Sequence, residues 1–410
     1  MAKKSTTKKT KRPAARRAAP KPKLKRSARA VKAVTARAVR ANGAKGTPAD
    51  DELALLRQLS NAVAVSGDEG AVRRIILDTI RPLTDEVKVD AVGNVLAVKK
   101  AAGRASRNGA RVLVAAHMDE VGFMVAGHES DGTLRFETVG SVDDRLWIGK
   151  PVWVRSGANN VLGVISAAPV HLLNSDRRNS VVKANQLRID LGVETAEAAK
   201  RLVKVGERGT FATELDVLGG VALRDGTSLR GKALDDRLGC AALVELLRGG
   251  PYPFELHAAF TVQEEVGVRG AKVAAYAVDP ACAFILDCTP AHDLPHSDPE
   301  KENVEYNARL GLGPAIYVAD RATISDQRLI KHLRKTAAGA GIPYQIRQPG
   351  GGGTDAGAVH RSRAGVPSVS VSVPGRYLHG PAAIARLDDW RNTLTLMRAA
   401  LENWTPKVMK

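Results

Sequence analysis

Three apolar runs of strand length lead into a histidine or an acid, and this pattern limits the fold more than any other feature of the chain. They are residues 111–117, which end at His117, residues 257–263, which precede Glu264 and Glu265, and residues 282–286, which precede Asp287. Continuous apolar runs are typical of strands buried on both faces of a parallel or mixed sheet. Open α/β sheets place their sites at the carboxyl ends of such strands. We therefore expect an α/β fold with polar groups at one edge of its sheet.

The adjacent acids Glu264 and Glu265 predict a change of backbone direction. Neighbouring side chains on a regular strand point to opposite faces, so both carboxylates can serve one site only where the strand ends. Gly267 and Gly270 fit such an exit. For an isolated Glu-Glu pair, two solvated surface carboxylates remain the alternative interpretation.

Further candidates lie at strand ends and at strand–helix junctions. His117 is followed by Asp119, which could orient its imidazole, although a single histidine after a buried strand is often structural. Asp235 and Asp236 precede an apolar helix predicted over residues 240–247, where helix capping is the alternative role. His379 follows residues 368–373, which the pattern predicts to be the last strand.

Together, the candidate ligands are two imidazoles and three carboxylates. They are His117, Asp235, Glu265, Asp287 and His379. Mixed histidine and carboxylate groups without thiolates suit zinc, cobalt or manganese. If one aspartate bridges, the five groups form a natural two-metal centre, which can activate water and polarise a carbonyl.

The composition divides the chain into a basic tail and a nearly neutral remainder. Residues 1–49 hold 17 of the 62 Lys and Arg residues and none of the 43 Asp and Glu residues. We expect residues 1–48 to be disordered, with non-specific binding to nucleic acid or another polyanion as one role. A targeting or solubilising extension, including an organelle transit peptide, is the other.

Beyond the tail, the pattern predicts a main α/β domain in two parts, residues 49–124 and 227–410, which would carry the candidate site. Residues 125–226 predict an inserted β-rich domain, because short alternating segments such as residues 133–138, 151–155 and 160–165 are separated by Gly, Asn and Asp. Ser66 and Glu69 are predicted to cap a helix over residues 71–78.

The remaining composition points to a reducing compartment and away from membranes. The three cysteines show no CxxC spacing, which argues against a disulfide framework or a thiolate zinc site. No apolar run of about 18 residues could span a bilayer, and no apolar segment of a secretion signal follows the basic N-terminus. We expect a cytoplasmic protein, or an organellar one if residues 1–48 are a transit peptide.

Five motifs resemble the signature blocks of the M42 family of metallo-aminopeptidases. They are His117-Met-Asp-Glu120, Ala233-Leu-Asp-Asp-Arg237, Glu264-Glu-Val-Gly-Val-Arg-Gly-Ala271, Gly352-Gly-Thr-Asp-Ala356 and Arg376-Tyr-Leu-His379. The resemblance spans about residues 50–404. It implies a phosphorylase/hydrolase-like mixed-sheet catalytic domain, an inserted barrel-like dimerisation domain and homo-oligomers from dimers up to dodecamers.

The resemblance also implies a role for each site residue. His117 and Asp287 would bind one divalent ion, Glu265 and His379 a second, and Asp235 would bridge them. Asp119 would steady His117. Glu264 would be the general base, which takes a proton from the water that attacks the first peptide bond of a peptide substrate. Gly375 and Gly380 stand where the family often has Cys and Ser, which leaves the side-chain preference open.

Two other functions remain as alternatives. One is a di-zinc deacylase or carboxypeptidase-like amidohydrolase, and the other is a nucleic-acid-associated protein that acts through its basic tail. An endoglucanase is disfavoured. Glycoside hydrolysis needs two carboxylates that span one bond at a defined separation, and acids in a pattern typical of metal ligands fit this requirement less well.

Overall fold

The computed structural model describes residues 48–101, 109–219, 226–295, 298 and 307–410. The predicted basic tail, residues 1–48, lies outside these residues except for Pro48, so its disorder and its partners stay predictions. In the described part of the chain, no helix combines the length and the apolarity needed to cross a bilayer.

The described chain alternates between helices and strands. The helices are α1 (Pro48–Asn61), α2 (Gly70–Ile80), α3 (Ser175–Asn179), α4 (Ala196–Leu202), α5 (Leu234–Arg248), α6 (Arg269–Val278), α7 (Gln327–Ala340), α8 (Ala356–Val359) and α9 (Leu387–Glu402). The strands are β1 (Glu86–Val89), β2 (Val95–Lys99), β3 (Arg111–His117), β4 (Gly122–His128), β5 (Leu134–Val139), β6 (Pro151–Ser156), β7 (Asn159–Ile165), β8 (Ile189–Asp190), β9 (Arg208–Phe211), β10 (Asp216–Val217), β11 (Ser228–Gly231), β12 (Glu255–Thr261), β13 (Cys282–Pro290), β14 (Ala315–Tyr317), β15 (Gln345–Arg347), β16 (Ser368–Arg376) and β17 (Ala383–Arg386).

An 11-stranded mixed sheet forms the centre of the fold, in the order β1-β2-β12-β3-β13-β16-β17-β11-β10; in addition, β14 pairs with β16, and β15 pairs with β14. The four central strands β12, β3, β13 and β16 are parallel, and the outer strands pair mostly antiparallel. The predicted mixed α/β sheet is therefore confirmed.

Apolar residues on both faces explain why the central strands are continuous apolar runs. In β3, Val112 and Val114 pack with α1, α2, α5, α7 and α9 in one buried cluster. The alternate residues Leu113 and Ala115 pack with α6 and α8 in a second cluster. A strand covered by helices on both faces has no solvated side, so its sequence cannot alternate with polar residues.

A closed barrel of six strands, β4-β5-β8-β7-β6-β9, is built from residues 122–211. Its interior is aromatic: Trp147 stacks on Phe211 with ring centroids 4.7 Å apart, and Phe123 and Phe136 meet edge to face at 5.4 Å. The β-rich character predicted for this part of the chain is confirmed. Its role in dimerisation and the boundaries at residues 125 and 226 stay predictions.

Three local expectations were wrong. Ser66 does not cap α2, because its hydroxyl donates a hydrogen bond to Asp119 at 2.6 Å, and α2 has no side-chain cap. The strand after residue 368 is not the last, since β17 follows and pairs with β16. Asp287 does not end its strand, because β13 continues to Pro290 along its parallel neighbour β16.

The register of the central strands brings the candidate site residues to one edge of the sheet. Thr261, at the end of β12, lies beside His117 at the end of β3. Ile285 of β13 lies beside Ala115 of β3, and Asp287 and His117 each follow two residues later. The ends of the three predicted apolar strands therefore lie side by side at one edge of the sheet.

Candidate metal centre

The five predicted ligands converge at the carboxyl edge of the sheet. His117 Nε2 lies 3.2 Å from Asp235 Oδ1 and 3.7 Å from Asp287 Oδ1. His379 Nε2 lies 3.4 Å from Asp235 Oδ2 and 3.3 Å from Glu265 Oε1. Each imidazole therefore has its own acid, and Asp235 turns one carboxylate oxygen to each imidazole.

The tandem aspartates divide two roles between them. Both residues have non-helical backbone angles at the start of α5. Asp236 accepts hydrogen bonds from the Gly239 N–H at 2.9 Å and from the His117 N–H at 3.2 Å, so it resembles a helix cap that also holds the end of β3. Asp235 is left to face the two imidazoles.

Asp119 organises the centre through the backbone more than through His117. Its carboxylate accepts the N–H of Glu264 at 3.0 Å and the N–H of Glu265 at 3.2 Å, together with the Ser66 hydroxyl. His117 Nδ1 contacts the backbone oxygen of Asp119 at 3.1 Å and its carboxylate only at 3.6 Å. One buried acid thus anchors both glutamates and lies next to the imidazole.

The turn between β12 and α6 carries the glutamate pair, as the glycine pattern predicted. The backbone leaves the strand at Gln263, whose φ of 56° is left-handed. Asn94 clamps the turn, since its side chain accepts from the Val262 N–H at 2.9 Å and donates to the Gly270 oxygen at 3.0 Å. Glu264 and Glu265 both line the same cavity.

The electrostatics of the cluster fit additional positive charge. Burial, together with the charge of Asp235, raises the pKa of Asp287 to about 7, although His117 acts in the opposite sense. Burial also raises the pKa of Glu264, and the charges of Asp287 and Asp355 add to this effect. Burial would lower the pKa of His379, but Asp235 and Glu265 outweigh it and raise the pKa to about 11.

The donor set also fits a divalent cation. One nitrogen or oxygen atom each from His117, Asp235 and Glu265 lie within 4.8 Å of one another, and the same holds for His117, Asp236 and Asp287. Buried imidazole and carboxylate groups in such proximity suit zinc, cobalt or manganese. The three cysteines are free and buried, and no disulfide joins them.

The centre opens into a cavity of about 600 Å³. Asp235, Glu264, Glu265 and Asp287 line one part of it, and the glycine-rich residues 351–353 line another. The cavity is large enough for a short peptide segment, since ligand pockets are typically ~300–1,000 Å³.

Several residues had no predicted role in the site itself. They are Ser66, Asp236, Cys288, Tyr317, Arg347 and Asp355. Asp236 and Cys288 are direct neighbours of predicted ligands, so their positions were a usable signal. Asp355 lies in the Gly-Thr-Asp-Ala motif and accepts a hydrogen bond from Thr261. Tyr317 and Arg347 carry no local signal, because strand pairing across the fold brings them to the cavity.

A mixed α/β sheet with a buried cluster of imidazoles and carboxylates at the carboxyl ends of its strands defines a metal-dependent hydrolase. The model of the family described as M42 glutamyl aminopeptidase matches residues 93–396. The chain therefore belongs to the M42 peptidase family, whose members are metal-dependent peptidases, and it is a hydrolase that acts on peptide bonds.

Relatives and solved structures agree with this assignment. The lysyl aminopeptidase of Pyrococcus furiosus is 30% identical over 357 residues, which cover 86% of this chain and 97% of that protein. The TET aminopeptidase from the marine sediment archaeon Thaumarchaeota archaeon SCGC AB-539-E09 has a TM-score of 0.81 at 34% identity, covering 88% of this chain and 99% of that one.

A further solved structure bears on assembly. The TET1 peptidase of Pyrococcus horikoshii has a TM-score of 0.74 at 33% identity, and the match covers 86% of this chain and 100% of that one. That peptidase can assemble into a tetrahedron or a large octahedral shell. The resemblance deduced from the five sequence motifs is thus confirmed at the level of the family.

Proposed function

We propose that this protein is a two-metal aminopeptidase that removes N-terminal residues from peptides. The observation that carries the proposal is the position of Asp235 between His117 and His379, each of which has a second acid beside it. His117 and Asp287 would hold one ion, Glu265 and His379 the other, and Asp235 both. Zinc is the proposed metal, with cobalt and manganese as alternatives.

Divalent ions in such a centre would supply Lewis acidity towards the scissile carbonyl and positive charge for the developing oxyanion. The chain itself supplies the proton carrier. Glu264 lines the cavity, and its backbone N–H is fixed on the buried carboxylate of Asp119. Glu264 would take a proton from the attacking water and return it to the leaving amine.

Glu264 and Glu265 take separate roles for a structural reason. Glu265 Oε1 lies 3.3 Å from His379 Nε2, so this acid belongs to the ligand cluster. Glu264 forms no ion pair with either imidazole among the described residues. A carboxylate that lines the cavity and is not paired with a metal-binding imidazole is free to exchange protons with the substrate.

The comparisons favour an aminopeptidase over the deacylase and carboxypeptidase alternatives. We further propose a cytoplasmic homo-oligomer, from a dimer up to a dodecamer, whose residues 125–226 mediate dimerisation. The assembly of the Pyrococcus horikoshii peptidase supports large oligomers. Nucleic-acid binding by residues 1–48 concerns a segment outside the described residues and stays a prediction.

The test combines metal content with substrate selectivity. The purified protein, reconstituted with zinc, cobalt or manganese, should release N-terminal residues from short peptides and leave their N-acetylated forms intact. Elemental analysis should find two ions per subunit, and Asp235→Asn should lower both metal content and activity.

His332→Gln is a control for a change remote from the centre, because His332 contacts the Ala400 oxygen on α9. This variant should keep the metal content and the activity of the wild type. Cleavage of N-acetylated peptides with sparing of free ones would refute the aminopeptidase. A single ion per subunit in the fully active enzyme would refute the two-metal centre.

A further inference from the structure

We propose that Arg347 binds a carboxylate of the peptide substrate and thereby gives the enzyme a preference for anionic peptides. This inference rests on the proposed peptidase function and adds a specificity-determining residue to it. Arg347 ends β15, is 4% exposed and lines the same cavity as Glu264 and Asp287. Among the described residues that line this cavity, it is the only Lys or Arg.

The guanidinium has no ionic partner in the described part of the chain. Its Nη1 group donates to the backbone oxygens of Ala319 at 3.3 Å and Gln348 at 3.2 Å, and Nη2 donates to the backbone oxygen of Gly351. Backbone carbonyls accept hydrogen bonds but do not neutralise a charge. A buried charge without a counter-ion is costly, so the site favours an incoming anion.

Two donors of the Arg347 guanidinium remain unused among the described residues. Guanidinium has five N–H groups, and three of those of Arg347 are used. Nε is buried without a hydrogen-bond partner, and one Nη2 hydrogen is left. Two other arginines of this chain bind a carboxylate through these same two nitrogens. Arg376 binds both oxygens of Asp293 through its Nε and Nη2, and Arg328 binds Asp326 through its Nε and Nη2.

The position of the guanidinium is fixed before substrate binds. Tyr317 lies beside Arg347 in the parallel pair β14–β15. The guanidinium carbon lies 4.5 Å from the centre of the Tyr317 ring, so the ring sets the plane of the charged group. A guanidinium that is already held in position loses little conformational entropy when it binds a planar carboxylate.

The charge balance of the cavity leads to the same conclusion. Four described acids line it, namely Asp235, Glu264, Glu265 and Asp287. If two divalent ions offset these four negative charges, Arg347 would be the one uncompensated charge among the described side chains that line the cavity. A purely structural role, in which Arg347 only holds residues 348–351 in place, would use the three donors towards carbonyls and predicts no dependence on the charge of the substrate.

The experiment compares peptides that differ by one carboxylate. Glu-Ala-amide against Gln-Ala-amide tests the first side chain, Ala-Glu-amide against Ala-Gln-amide tests the second, and Ala-Ala against Ala-Ala-amide tests the chain terminus. For at least one pair, the wild type should have about 10- to 100-fold higher kcat/KM on the carboxylate, mainly through KM. The pair that responds identifies the source of the carboxylate.

Arg347→Gln should bring the ratio within each pair close to one, and Arg347→Lys should restore part of it. Damage to the loop would lower both members of a pair alike and leave their ratio unchanged. Arg321→Gln is the control, because Arg321 is exposed and contacts the loop through its backbone N–H to the Gly352 oxygen. Its ratios should equal those of the wild type.

A wild-type ratio near one in all three pairs, or a ratio that survives Arg347→Gln, would overturn the inference. Failure of the proposed function gives a different result, in which the wild type hydrolyses none of these peptides. In that case calorimetric binding of the same pairs decides, since the carboxylate member should still bind more tightly to the wild type and not to Arg347→Gln.

Discussion

Replacing Asp119 by asparagine removes one charge and one acceptor from the most connected acid of the centre. The carboxylate is fully buried and accepts three donors: the N–H groups of Glu264 and Glu265 and the Ser66 hydroxyl. Its Oδ1 serves Glu264 and its Oδ2 serves Glu265. In either orientation, the asparagine amide group faces one of these two N–H groups, so one buried donor loses its partner.

The expected cost follows from that single orphaned N–H. A buried donor left unsatisfied costs about 1–3 kcal/mol. A local loss of about 2 kcal/mol corresponds to ~30-fold more frequent opening of the turn. Because the same turn carries the proposed base and one proposed ligand, we also expect about 10- to 100-fold lower metal affinity or kcat/KM.

Hydrogen–deuterium exchange resolved at the Glu264 and Glu265 amides measures the opening directly. Activity and metal content are measured on the same preparations. Ser66→Ala is the control, since it removes one donor to Asp119 and leaves both backbone bonds in place, so exchange should rise much less. If Asp119→Asn exchanges and turns over within twofold of the wild type, Asp119 does not hold the turn and the reasoning is refuted.

Three other changes test separate parts of the structure. Glu264→Gln should keep metal content and thermal stability and lower kcat by about 100- to 10,000-fold, and near-normal turnover would exclude Glu264 as the base. Gly270→Ala should lower the free energy of unfolding by about 1–3 kcal/mol, because its Cβ would lie 2.3 Å from Asn94 Oδ1; an unchanged urea midpoint would contradict this clash. Lys232→Met should cost about 3 kcal/mol, since Lys232 Nζ lies 2.9 Å from the equally buried Glu120, and a midpoint at or above that of the wild type would show that the ion pair is not needed for stability.

The parts of the site that were predictable have a local signature. The apolar runs before His117 and Asp287 identify strands that are covered on both faces, and the parallel arrangement of such strands brings their ends together. Gly267 and Gly270 identify the turn that lets Glu264 and Glu265 reach one cavity. In each case the backbone constraint lies within about ten residues of the group it positions.

The parts that were missed depend on partners far away in the sequence. Ser66 looks like a helix cap, yet its hydrogen bond goes to Asp119 in another element. Arg347 gives no sign of its role, because Tyr317 and the cavity reach it only through strand pairing. A short polar side chain satisfies the nearest available partner, and only the assembled fold decides whether that partner is local.

The hydrogen bonds to the backbone distinguish Asp119 and Asp236 from Asp235 and Glu265. Asp119 and Asp236 each accept two backbone N–H groups, so neither can turn towards the cavity without leaving buried donors unpaired. Asp235 and Glu265 accept no backbone N–H among the described residues, and their contacts are with His117 and His379. The anchored acids therefore fix the backbone around the centre, and the unanchored ones can adjust their oxygens to an ion. For the tandem aspartates, this difference supports Asp235, rather than its neighbour Asp236, as the shared ligand.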